Sequence, residues 1–99
     1  MTYTRLTTLQ ADLSKLEEGI RFFREQTVTT ARQQRGFQGA RLLVDRQSGK
    51  VIAVTLWEDE AAARAAESAM NQSRTQGAQM IGATAPTTEL LEMVVNESA

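Results

Sequence analysis

The chain has 99 residues, 11 basic and 12 acidic, for a formal net charge of −1, and it contains neither cysteine nor histidine. The charge balance offers no basic face to nucleic acid and no attraction to an anionic membrane. The two missing residue types remove disulfides, thiol chemistry, the commonest general base and the commonest ligand for metals and haem iron.

The opening "MTYTRLTTLQ" has no signal-peptide core, and no apolar run reaches the length of a membrane span. One cytoplasmic domain over 1–99 is expected, with no metal and no cofactor. Residues Tyr3 to Leu9 are β-branched and aromatic enough for a first strand. Asp12, or Ser14 with Glu17, can then cap a helix whose apolar face runs Leu13, Leu16, Ile20, Phe23, Thr27 and Ala31. The run Thr27-Val28-Thr29-Thr30 is weak helix material, a place for a kink or an early end. Gly36 suits the turn after the helix.

A hairpin follows. Phe37 to Asp45 and Lys50 to Trp57 are strands joined by "RQSG". Pairing Asp45 with Lys50 assigns the two faces. One holds Gln38, Ala40, Leu42 and Val44 with Val51, Ala53, Thr55 and Trp57. The other holds Gly39, Arg41 and Leu43 with Ile52, Val54 and Leu56. A second helix begins after Asp59, with Ala62, Ala65, Ala66, Ala69 and Met70 toward the sheet. "TQGAQMIGATAP" reads as loop, with room for a helical tail, and Thr88 to Val95 is the last strand.

The order β-α-β-β-α-β is the ferredoxin-like split unit, an α+β fold with a four-stranded antiparallel sheet and both helices on one face. The helices cover the Trp57 face. The face with Leu43, Ile52, Val54 and Leu56 then has no cover within the chain, and a homodimer packing sheet against sheet, a dimeric α/β barrel, supplies it. Arg41 projects onto that face. It is expected to pair with Glu92 or Glu89 of the second copy.

In combination, "GFQGARLLVDRQSGK", "VTLWEDEAA" and the closing "ELLEMVV" resemble the antibiotic-biosynthesis-monooxygenase-like family of dimeric α/β barrels. The resemblance implies the fold already read from the residues. It also implies a choice of functions: cofactor-free oxygenation of small aromatic phenols or quinones, haem degradation, small-molecule isomerisation, or a non-catalytic binding or stress-associated structural role. In the oxygenases of the family the pocket lies between sheet and helices. Their tryptophan ending the third strand matches Trp57, and their arginine beyond the second helix aligns with Arg74. Their pocket asparagine and tyrosine fall on Ala53 and near Ala63. In the haem-degrading branch a first-strand asparagine falls on Thr4 and a tryptophan near Ala66, and the ligating histidine has no counterpart.

The expected pocket wall is therefore Trp57, Thr55, Ala53, Gln38, Thr4, Phe23 and Met70, with Arg74 nearby. Thr8 is a further polar candidate on the same side. Trp57 reads more readily as core and Arg74 as solvated. The wall carries no ionisable base, which points to flat, weakly polar phenols rather than sugars, nucleotides or anions. No phosphate-cradling glycine loop and no nucleophile–base constellation is present.

Overall fold

A computed structural model describes residues 1–83 and 86–99. The sheet comprises β1 (Tyr3–Gln10), β2 (Phe37–Val44), β3 (Lys50–Trp57) and β4 (Thr87–Glu92), in the order β2-β3-β1-β4. Every neighbouring pair is antiparallel. Helices α1 (Leu16–Phe22), α2 (Val28–Arg32), α3 (Glu60–Ala65) and α4 (Glu67–Met80) pack on one face. This is the ferredoxin-like α+β fold.

The first helical segment opens with a 3₁₀ turn, Leu13–Lys15, capped by Asp12, whose carboxylate accepts the Ser14 N–H at 3.0 Å. Leu13, expected on the apolar face, is 51% exposed because it belongs to this turn. Between α1 and α2 the helix widens into a π turn, Phe23–Thr27, where the Val28 N–H donates to the Phe23 carbonyl five residues back. The disturbance lies just where β-branched residues crowd the helix. The Thr29 hydroxyl competes for the Glu25 carbonyl at 2.7 Å.

The hairpin loop closes on Asp45. Its carboxylate accepts the N–H groups of Gln47 at 2.9 Å and Ser48 at 3.4 Å, and these bonds hold it below the usual carboxylate range. Gly49 completes the turn at φ +81, and a Cβ there would lie 2.5 Å from the Ala11 carbonyl oxygen. From Gly39 onward the register is the expected one, with Arg41 opposite Val54 and Leu43 opposite Ile52. A bulge between Phe37 and Gly39 breaks the alternation. It leaves Phe37 on the Trp57 face and Gln38 exposed, accepting a bond from the Thr2 hydroxyl at 2.8 Å.

Three boundaries differ from the sequence reading. Helix α4 continues to Met80, through residues expected as loop, while Thr84 and Ala85 of that stretch lie outside the described residues. Strand β4 stops at Glu92, because its partner β1 starts at Tyr3; Val94 and Val95 are exposed. The second helix breaks at Ala66, which turns Ala63 inward and leaves Ala65 exposed.

Two apolar clusters form the interior. One gathers Ala31, Ala62, Ala63, Ala66 and Met70 around Trp57. The other gathers Ala11, Leu16, Val51 and Ile81. Close approach of α1 to the end of α4 requires Gly19, since a Cβ there would sit 2.2 Å from Ile81 Cγ2. Gly19→Ala should therefore destabilise the fold by about 1–3 kcal/mol despite alanine's better helix propensity. Equal or higher stability in urea unfolding would contradict that packing.

The outer face carries Leu6, Ile52, Val54 and Leu56 with Leu43 and Leu91, the last two 54% and 49% exposed. Arg41 lies on it, exposed, donating to its neighbour's Ala40 carbonyl at 2.9 Å. Glu89 shares this face, opposite Leu6, whereas Glu92 stands opposite Tyr3 on the helix side. Strand alternation thus puts Glu89 on the same side of the sheet as Arg41 and Glu92 on the other.

Candidate functional site

Between the two clusters lies a cavity of about 80 Å³ counted at water centres, partly open to solvent. Several waters fit in that space. Its walls come from four sources. Strand β1 supplies Arg5, Thr7 and Leu9, and strands β2 and β3 supply Leu42, Val44, Val51, Ala53 and Thr55. The first helical segment adds Leu16, Gly19, Ile20, Phe22, Phe23 and Thr27, and α4 and the residue after it add Met70, Ser73, Arg74, Gly77, Ala78 and Ile81. The π turn matters here, because both its ends, Phe23 and Thr27, reach the cavity. Thr27 is tied to buried Ser73 across the helices, hydroxyl to hydroxyl, at 2.9 Å.

Of the residues expected at the wall, Thr55, Ala53, Phe23, Met70 and Arg74 line the cavity. Trp57, Gln38 and Thr4 do not. Trp57 is 1% exposed within its alanine-rich cluster, its indole N–H donating to the Thr55 hydroxyl at 3.0 Å and its ring edge-on to Phe37 at 5.6 Å. Gln38 was displaced by the bulge. Thr4 stands opposite Leu56 and Leu91 on the outer face, as Thr8 does opposite Ile52. Their inward neighbours are Arg5 and Thr7.

Arg5 was missed by the sequence reading, and it changes the site's electrostatics. Its side chain is 14% exposed and that of Arg74 is 10% exposed. Both face one carboxylate. Glu67 binds Arg74 through both oxygens, at 3.0 and 3.4 Å, and Arg74 also donates to Asn71 at 3.1 Å. Arg5 reaches Glu67 only at 3.7 Å. Burial pushes the Arg5 guanidinium below its ordinary value; Glu67 opposes this, and Arg74 and Arg64 add to it. The wall expected to suit only weakly polar ligands thus contains two largely buried cations. Arg74, expected to be solvated, is held by Glu67. Among the described residues no cluster of three or more metal-ligating side chains occurs, and no helix is long and apolar enough to cross a membrane.

The architecture is that of a ferredoxin-like α+β domain with a cavity between its sheet and its helices. The chain belongs to the antibiotic biosynthesis monooxygenase family, whose model matches residues 2–77. It is 36% identical over 84 residues to Rv2557, an uncharacterised protein of Mycobacterium tuberculosis; the match covers 85% of this chain but only 38% of that protein. Solved structures share the fold at lower identity. SnoaB, a cofactor-independent oxygenase from Streptomyces nogalater, superposes with a TM-score of 0.66 at 18% identity, covering 96% of this chain and 93% of its own. A monooxygenase from the ActVA-Orf6 gene of Streptomyces coelicolor, in complex with nanaomycin D, superposes with a TM-score of 0.74 at 16% identity, covering 97% and 92%.

Proposed function

We propose that the chain is a cofactor-independent monooxygenase that takes a small aromatic phenol or quinone-type substrate into the sheet–helix cavity. The observation that carries this reading is the cavity itself, apolar over most of its wall, with Arg74 among the residues that line it. Family membership supports the reaction class, as do the oxygenases that share the fold.

The chemistry asks little of the protein. A phenol or anthrone-type substrate loses a proton and reacts as a carbanion with oxygen. One oxygen atom becomes the new carbonyl, and the other leaves as water with the two hydrogens of the oxidised carbon. Orientation against Phe23, Ala53 and Met70 and stabilisation of the phenolate by Arg74 are what the wall supplies. The wall holds no carboxylate and no imidazole among the described residues, so the proton passes to solvent.

Oxygen uptake with an anthrone or a dihydroquinone tests the reading. Slow uptake insensitive to chelators is expected, falling about tenfold or more in Arg74→Ala, as removal of an oxyanion donor does. Saturable binding without uptake would establish the second reading, a non-catalytic binder, which the lack of a base in the wall favours.

We also propose a homodimer formed through the outer face. The apolar stripe from Leu43 to Leu91 needs cover. Arg41 near one sheet edge and Glu89 at the other are complementary charges for a two-fold contact. The Thr4 hydroxyl on this face, buried without a partner, would gain one from a second copy.

A further inference from the structure

We propose that the cavity selects aromatic ligands that carry an anionic group, and that Arg5 is the residue that reads the charge. The proposal rests on the reading of the cavity as an aromatic-binding site and names the class of ligand it prefers.

Arg5 sits in the middle of the sheet, opposite Thr55 of β3 and Leu90 of β4, with its side chain on the cavity side. Its guanidinium is removed from most solvent, yet no acceptor among the described residues takes a hydrogen bond from it; the 3.7 Å approach to Glu67 is its one ion pair. Arg74 is in a different condition, with both Glu67 oxygens and the Asn71 carbonyl engaged. Two cations therefore share one anion, and the surplus positive charge falls mainly on Arg5, none of whose donors is engaged, while Arg74 keeps its Nε–H and one Nη2–H.

A largely buried charge without a full set of partners is costly, and a guanidinium presents paired donors that match a carboxylate or a phenolate with an adjacent oxygen. The rest of the wall is largely apolar, and Ala53, one inward position along β3 from the Thr55 that faces Arg5, begins an apolar stretch that continues through Leu42 and Val44. An aryl carboxylate satisfies both halves at once. Its ring displaces water from the apolar wall, and its anion completes the neutralisation that Glu67 leaves unfinished. Arg5 is then a specificity-determining residue.

The test is calorimetric titration with salicylate and with its uncharged counterpart salicylamide. Wild type should bind salicylate at least about tenfold more tightly, the ratio expected of charge-assisted hydrogen bonds. Arg5→Gln should abolish that preference while leaving salicylamide affinity within about twofold, and Arg5→Lys should retain part of it as a point charge. Glu67→Gln, which removes the competing carboxylate, should tighten salicylate and leave salicylamide unchanged; it keeps the proposal testable if Arg5→Gln fails to fold. Equal affinities in wild type, a preference that survives Arg5→Gln, or no binding of either probe would each overturn the proposal. Equal affinities would leave the oxygenase reading standing, whereas anion preference without any oxygen uptake would remove the oxygenase reading and keep this one.

Discussion

Trp57→Ala is expected to destabilise the domain by about 3–5 kcal/mol, the usual cost of truncating a large buried aromatic. The indole is the largest fully buried side chain, and its neighbours Ala31, Ala62, Ala63 and Ala66 are too small to collapse into the space it would leave. Phe37 would lose its edge-on partner, and the Thr55 hydroxyl its donor. Typical domains are stable by only about 5–15 kcal/mol, so the loss is a large share of the total. Trp57→Phe keeps most of the ring volume and one aromatic contact with Phe37, and should cost about 1 kcal/mol through the lost N–H bond. Urea unfolding should show the alanine variant's midpoint far below wild type at similar slope. Trp57 stands outside the cavity wall but donates to Thr55, which lines it, so Trp57→Phe should act on ligand affinity only through the freed Thr55 hydroxyl. A loss under about 1 kcal/mol in Trp57→Ala would show that the alanine cluster repacks more freely than close-packed interiors allow.

The element order was legible because each element carries its own punctuation. Asp12 and Asp59 cap where expected, and Asp45 and Gly49 close the hairpin. What escaped was set by partners rather than by local pattern. The end of β4 at Glu92 follows from where β1 begins, and nothing in "ELLEMVV" announces it. The continuation of α4 through Gly77 follows from its packing on Phe22, which overrides glycine's poor helix propensity.

The site was less legible than the fold, and β1 shows why. Its two faces, Thr4-Leu6-Thr8 and Arg5-Thr7-Leu9, are each polar and apolar in mixture, so alternation alone cannot tell which one is inside. The register can: Arg5 lies opposite Thr55, and Thr55 shares its face with Trp57. Carrying Thr4 inward from a family position set aside this parity. Ser73 had a visible signal, since it falls three residues after Met70 on the same helical stripe. Gln38 had none, because a one-residue bulge leaves no mark in "GFQGA" beyond its glycines.

The second large effect is expected from Val54→Lys. Val54 stands between Arg41 on β2 and Leu6 on β1, near the middle of the uncovered face. In an isolated chain this position is half-open, and a lysine there could extend its ammonium into water at little cost. In the proposed dimer it would face the second sheet, and two-fold symmetry would bury two ammonium groups at once, where the carboxylate of this row, Glu89, is already taken by Arg41. The variant should therefore be monomeric or aggregated where wild type is dimeric at micromolar concentration, as read by light scattering after size exclusion. Charge reversal at the edges separates the interface from a general loss of solubility. Arg41→Glu and Glu89→Arg should each weaken association, by about 1 kcal/mol if the pair stays wet and by about 3–5 kcal/mol if it is buried, and the double reversal should restore much of the loss. Glu92→Arg, on the other side of the sheet, should leave association unchanged. A folded wild-type monomer at micromolar concentration would end the dimer proposal, and a double reversal no better than either single change would end the Arg41–Glu89 pairing while leaving the apolar contact to account for the dimer.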